Sequence, residues 1–351
     1  MTAKRRSGRR APAKRPSRAR RPAFGLLILL LAAAAAGWLL WSYAGPGPRT
    51  PAAITSVELK KGAGVAGIAD QLAEAGVIRS KPLFMLAARL GGTTLKAGEY
   101  EFASGASMRS VLSDLRAGRV VRHLITVPEG WTSEMAAEAV GRSPVLTGLA
   151  VAPPEGSLLP ETYEVRRGES RVDVLQRMSK AQDELMAKLW PARQPGLPFQ
   201  TPQEALTLAS IVEKETALPE ERPRIAAVYV NRLRAGMRLE SDPTTIYGIS
   251  KGRALGRGIT RSELTATTPY NTYRISGLPP TPIANPGRAS IEAVLNPPKT
   301  DELFFVADGK GGHVFASDFA GHQKNVARWR EIERQRQRAA EAAADAQGKG
   351  G

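Results

Sequence analysis

A run of about twenty residues without a charge, FGLLILLLAAAAAGWLLWSYA (Phe24–Ala44), sets the first limit on what this chain can become. As a helix it is long enough to cross a bilayer, whose hydrocarbon core needs about 20 apolar residues. Ten basic residues and no acid precede it, from Lys4 to Arg21, in a tail rich in Pro, Ser and Ala that reads as disordered. Trp38, Trp41 and Tyr43 gather at the far end, where aromatic rings favour the membrane interface. The positive-inside rule keeps the tail, residues 1–23, in the cytoplasm and puts everything after residue 44 outside it. A cleaved signal peptide with a small-residue site near Ala44 is the rival reading. Its apolar core would be shorter, roughly 7–15 residues, which favours an uncleaved single span.

This placement changes the meaning of the net charge of +17. More than half of the excess lies in the tail, where topology and anionic lipid headgroups account for it, so nucleic acid is not an expected partner. The chain contains no cysteine, which removes disulfides, thiol nucleophiles and cysteine metal sites. Its three histidines, His123, His313 and His322, form no close cluster, and neither a metal nor a cofactor is expected. The length of 351 residues suffices for two modest units and accessory segments.

Residues 45–54 read as a Pro/Gly linker. Over residues 55–127 the pattern predicts a small α+β unit: strands at Thr55–Leu59, Leu95–Phe102 and Val120–Val127, with helices at Gly64–Ala75, Lys81–Leu90 and Met108–Ala117. A larger α+β unit with long loops follows over residues 128–330. Its expected helices are Gly130–Val140, Arg171–Leu189, about 201–216, Glu220–Ala235 and Ser290–Leu295, with strands within Glu155–Val165 and at Leu303–Val306. Ala320 to about Gln347 reads as one charged helix, so that residues 331–351 form a helical or frayed tail.

The stretch TPQEALTLASIVEKET, Thr201–Thr216, is the most informative of these. Thr201 suits an N-cap, Pro202 the first helical position, and Glu204 completes a capping box. At about 100° per residue, Glu215 falls on the stripe of Leu208, Ile211 and Val212, and Glu213 lies roughly 160° away, on the side expected to meet solvent. A carboxyl in apolar surroundings resists ionising and can keep a proton near neutral pH, as a general acid must. The same position also suits a carboxylate at the rim of a core, paired with an arginine.

Irregular stretches further on hold SDPTTIYG, TPYNTYR and GLPPTPIANPG. Their Tyr247, Tyr270, Asn271, Tyr273 and Asn285 have the amphipathic rings and amides that suit a sugar groove, or that serve packing and turns in proline-rich loops. Glu161 and Asp242 are candidate second carboxylates, with Asp242 equally readable as a turn residue before Pro243. His313 could hydrogen-bond substrate or be structural. The glycine loop ADGKGG lacks phosphate-loop spacing.

Several ordered blocks, ASIVEKET, VYVNRLRAGMRLESDPTTIYG, TPYNTYRISGLPP, ANPG and FFVADGKGGHVF, resemble the YceG-like (MltG) family of membrane-anchored endolytic murein transglycosylases. The resemblance runs over roughly residues 55–330. LKAGEYEF and VPEG resemble that family's LysM-like subdomain, which implies glycan contact. The activity implied is cleavage, without water, of the β-1,4 bond between N-acetylmuramic acid and N-acetylglucosamine, leaving a 1,6-anhydro end. Glu215–Thr216 fits the glutamate followed by Ser or Thr of lytic transglycosylases, and Glu213–Lys214 does not, so Glu215 is the implied catalytic acid. Tyr247, Asp242, Tyr270, Asn271, Tyr273, Asn285 and His313 are the candidate substrate-binding residues. The resemblance also implies peptidoglycan glycan strands and membrane-bound peptidoglycan synthases as partners, and the cell inner membrane as location. A hydrolytic muramidase and a non-catalytic peptidoglycan-binding scaffold are the alternatives.

Overall fold

A computed structural model describes residues 21–92 and 94–348, with side chains described over 24–92 and 94–341. Most of the basic tail and the last three residues therefore lie outside the described residues. The chain divides between Arg122 and His123 into two compact units.

The first unit begins with helix α1, Arg21–Ala44. Phe24–Ala44, with a mean hydropathy of 2.2, is the one helical stretch among the described residues long and apolar enough to cross a membrane. Strand β1 (Ile54–Leu59), helices α2 (Val65–Glu74) and α3 (Lys81–Leu90), strand β2 (Gly98–Ala103) and helix α4 (Met108–Ala117) follow. β1 and β2 pair antiparallel from Ile54 opposite Ala103 to Leu59 opposite Gly98. Their alternation turns Val57, Leu59, Tyr100 and Phe102 inward against Leu72, Phe84, Leu112 and Leu115. Each of those buried leucines contributes about 2 kcal/mol of transfer free energy. Ser80 and Ser107 cap α3 and α4 through their hydroxyls, which is why both helices start where the sequence places them.

The second unit starts with strand β3 (His123–Thr126), helix α5 (Ser133–Gly141) and strand β4 (Thr162–Val165). β3 pairs antiparallel with β4, so the strand expected over Val120–Val127 is shorter and closes the second unit rather than the first. Helix α6 (Arg171–Leu189) has the predicted bounds. Its first half packs Val174 and Met178 on the β3–β4 pair, and its second half reaches another core.

That second core is built by α7 (Pro202–Glu215), α8 (Arg222–Arg234) and α11 (Arg288–Leu295). The capping box of α7 is formed: Thr201 Oγ1 accepts from the Glu204 N–H and Glu204 Oε2 from the Thr201 N–H. Eight successive residues, Ala205–Val212, are buried, so α7 has no solvent side over this stretch. Its two buried hydroxyls are satisfied, Thr207 donating to the Gln203 carbonyl and Ser210 to that of Thr207.

Two helices stand where the sequence suggests only loop, α9 (Asp242–Ser250) and the short α10 (Arg261–Thr265), which has its own capping box at Thr260 and Glu263. The glycine loop is also more ordered than expected. It is the turn of a hairpin between β5 (Phe304–Ala307) and β6 (His313–Ala316), with Gly309 and Gly311 at φ of 80° and 101°. Helix α12 (Phe319–Gly348) ends the described chain and begins against Phe304 through Phe319 and His322.

Candidate active site

The C-terminus of α7 opens into a cavity of about 300 Å³. Glu215, Tyr229, Arg232, Asp242, Tyr273 and Phe305 are in its wall. Each comes from a separate decision of the chain. α7 stops at Glu215 because Thr216 is extended, with φ −138° and ψ 138°. Tyr229 lies on the α8 stripe that carries Ile225 and Ala226 into the core, and a buried phenol must find a partner for its hydroxyl. It donates to Glu215 Oε1 at 2.5 Å. Ser241, in the turn before α9, donates to the same oxygen, also at 2.5 Å.

Two neutral donors therefore share Oε1, while Oε2 has no hydrogen-bond partner among the described residues. No cation forms an ion pair with Glu215 among them either. Burial pushes the Glu215 carboxyl above its ordinary range, the Ser241 and Tyr229 hydrogen bonds pull it partly back, and the charge of nearby Asp242 raises it again. His313 is close enough to draw it slightly down. The result is a raised value. Such a group holds a proton where an ordinary glutamate has lost it, with one oxygen free to deliver it.

The surrounding polar groups are held by a second layer. Asp242, at the N-terminus of α9, accepts from the Tyr273 hydroxyl at 2.8 Å. Tyr273 is set by Asn271, whose Oδ1 accepts from the Tyr273 N–H. Asn271 is fully buried and donates to the carbonyls of Glu263, Leu264 and Ala266, so its amide serves the loop. Ser241 is held by its N–H on Thr272 Oγ1 and by Thr244, which donates to its carbonyl.

Not every candidate from the sequence comes to this cavity. Asp242 and Tyr273 do. Tyr247 and Tyr270 are outside its wall and pair with each other, ring centroids 4.9 Å apart, with Lys251 Nζ about equally close to both. The Tyr247 hydroxyl donates to Glu155, a carboxyl also raised by burial against the hydrogen bonds of Ser133 and Tyr247. Asn285 is fully buried, its Oδ1 accepting from the Leu158 N–H and its amide donating to the Trp131 carbonyl. Glu161 is exposed and is not in the cavity wall. His313 stands edge-on to Phe305 and meets Glu221 through its backbone N–H and Nδ1, each at 2.7 Å.

Glu213 corrects a wheel-based expectation. It does not face solvent: its side chain is 4 % exposed and pairs with Arg222 at 3.0 Å. Its other oxygen accepts from the Gly287 N–H and the Ser290 hydroxyl, at the N-terminus of α11. The wheel fails here because α7 is buried all round as far as Val212 and Arg222 and the start of α11 cover Glu213. Sequence reasoning also missed Tyr229 and Ser241. For Tyr229 the available signal was a phenol on an otherwise apolar stripe.

The second unit is thus an α+β fold that places one carboxyl, raised by burial, at the end of a core helix inside a polar cavity. A family model described as the YceG-like family matches residues 57–328, and the chain belongs to that family. A protein of Streptococcus pneumoniae serotype 2 named endolytic murein transglycosylase is 30 % identical over 323 residues, covering 78 % of this chain and 58 % of its own length. The chain thus spans little more than half of that relative. A Bacillus subtilis protein of the same name is 29 % identical over 305 residues, covering 77 % of this chain and 83 % of its own. The crystal structure of a yceG-like protein from Listeria monocytogenes is similar with a TM-score of 0.50 at 29 % identity, covering 77 % of this chain and 98 % of the other.

Proposed function

We propose that this protein is an endolytic lytic transglycosylase of peptidoglycan, held by α1 in the cell inner membrane with its folded units outside the cytoplasm. The observation that carries the reading is the placement of Glu215 in a polar cavity, with two neutral hydroxyls on Oε1 and Oε2 free, in a chain whose relatives are named endolytic murein transglycosylase. Glu215 gives its proton to the oxygen bridging N-acetylmuramic acid and N-acetylglucosamine. As the C1–O bond breaks, the muramic 6-hydroxyl oxygen bonds to C1, and its proton passes to the Glu215 carboxylate. No water is consumed, the carboxyl is restored, and one strand leaves with a 1,6-anhydro end.

A glycosidase that uses water ordinarily needs two carboxylates in distinct roles. Here the substrate supplies the nucleophile, so one acid that becomes a base is enough. Burial holds the Glu215 carboxyl above its ordinary range, and the charge of Asp242, bound by Tyr273, adds to that. The β1–α2–α3–β2 unit suits the LysM-like glycan-contact module implied by the sequence, and membrane-bound synthases would supply nascent strands. Mass spectrometry of digested sacculi is the test. Anhydro products that vanish in Glu215→Gln but persist in the exposed control Glu220→Gln support the proposal, whereas reducing ends heavier by one water refute the transglycosylase assignment.

A further inference from the structure

α3 carries two apolar stripes where a helix on the surface of a small unit needs one. Phe84 and Ala88 are buried in the core of the first unit. Leu83, Leu86 and Leu90, at the i, i+3, i+7 spacing of a second face, line a cavity of about 650 Å³ whose other wall is α1 between Ala36 and Tyr43, and Leu83 also touches the core. Leu86 is 54 % and Leu90 80 % exposed, as open as Leu27 and Leu30 of α1, at 53 % and 57 %. Water is a poor neighbour for such a face.

We propose that α3 docks into the bilayer beside α1, and that the cavity between them takes the acyl chain of a phospholipid. This rests on the reading of α1 as a membrane anchor. The wall from Ala36 to Tyr43 covers about 10 Å of helix rise, which matches the roughly 5–10 Å to which interfacial helices sink their apolar faces. Trp41 marks the interface, and the Arg79 guanidinium lies 4.9 Å over its ring. Arg116 stands at the cavity, donating one Nη2 bond to the Ala87 carbonyl while its Nε has no partner among the described residues. Cations at the rim of an apolar slot complement the phosphate and ester oxygens of a lipid whose chain fills the slot. Gly91 leaves room for that guanidinium, since a Cβ there would strike it.

The absence of cysteine makes the test clean, because each introduced thiol is unique. The full chain, with Leu29→Cys, Glu74→Cys, Leu86→Cys or Leu90→Cys bearing an environment-sensitive fluorophore, is reconstituted in vesicles of phosphatidylethanolamine and phosphatidylglycerol. Lipids brominated along the acyl chain report contact by quenching. Quenched, blue-shifted emission at positions 29, 86 and 90, with none at 74, supports docking. Labels at 86 and 90 in water while 29 is quenched overturn docking and leave the anchor standing. A label at 29 in water overturns both. Labels at 86 and 90 that are blue-shifted but beyond the reach of brominated lipid place a second copy over α3, which also overturns the proposal.

Discussion

Glu213 and Glu215 are two residues apart on one helix, and both are removed from bulk water, yet their surroundings differ in kind. Glu213 meets a guanidinium on one oxygen and two donors at a helix N-terminus on the other, so its negative charge is compensated on both sides. Glu215 meets two neutral hydroxyls on one oxygen, with Asp242 adding a like charge nearby. Burial alone does not decide which form a carboxyl favours. The charge of the partners does. A cation stabilises the ionised form, and its absence leaves desolvation to favour the neutral one.

The largest effect should come from Glu215→Gln. Removing the transferable proton is expected to lower turnover about 10³-fold, within the range for general acid–base groups, while the variant stays folded. Its stability should have a pH signature. Because the folded carboxyl value is raised, the stabilising contribution of the acid is complete below its unfolded value and is lost as pH climbs through the raised one. Gln cannot ionise. The melting temperature of Glu215→Gln should therefore gain on the parent as pH rises through that window. A constant gap across the titration would contradict the raised value. Glu221 supplies the opposite sign: burial raises its carboxyl, but hydrogen bonds from His313 and Thr216 outweigh this and leave it lowered. Its contribution should be present at neutral pH and disappear as pH falls through the lowered folded value, so Glu221→Gln and the parent should converge in acid.

Next in size is Glu213→Ala, which should unfold more easily by about 2 kcal/mol, since Arg222 is left with only the partly exposed Glu129 and the Gly287 N–H and Ser290 hydroxyl lose their acceptor. Activity per folded molecule should change far less than in Glu215→Gln. Denaturant titration alongside rates normalised to folded protein separates the two quantities, and a specific loss of rate comparable with that of Glu215→Gln would erase the contrast. For this reason Glu213→Gln is a poor catalytic control. Tyr229→Phe should be milder, roughly tenfold in rate, as one of the two positioning hydrogen bonds is lost. That bond favours the carboxylate, so its removal should move the alkaline limb of the pH–rate profile to higher pH, with the same direction for Ser241→Ala. A merely structural phenol would leave the limb in place.

Much of the frame was legible because local physics decides it. The bounds of α3, α4 and α6 follow from apolar period, helped in the first two by serine caps, and the capping box of α7 forms as written. α10 carries the same box at Thr260 and Glu263, yet it is only five residues long, too short for periodicity to register. α9 begins at Asp242–Pro243, where a turn and a helix start have the same residues. The position of Glu215 at the end of a buried stripe was legible from its spacing to Leu208, Ile211 and Val212. Tyr229 and Ser241 were not, because which hydroxyl reaches which carboxyl depends on how α7 and α8 and the turn before α9 are brought together. The wheel misjudged Glu213 for a related reason: periodicity assumes a solvent side, and α7 has none between Ala205 and Val212. Asn271 and Asn285 illustrate the same limit, since their burial is set by loops with no period of their own.

The smallest effect lies at the cavity rim. Glu240 adopts a left-handed backbone, φ 55°, one residue before Ser241, and it pairs with Arg232. A side chain in that region costs about 1 kcal/mol relative to glycine. The ion pair weighs little against it, because Glu240 is about half exposed and Arg232 already donates to the carbonyls of Leu303, Arg238 and Leu239. Glu240→Ala removes the pair and keeps the strain, whereas Glu240→Gly removes both. Glycine should therefore be the more stable of the two by about 1 kcal/mol, and both should keep the alkaline limb where the parent has it, since Ser241 remains held by Thr272 and Thr244. If alanine moved that limb as far as Ser241→Ala does, the side chain of Glu240 would itself aim the donor at Glu215.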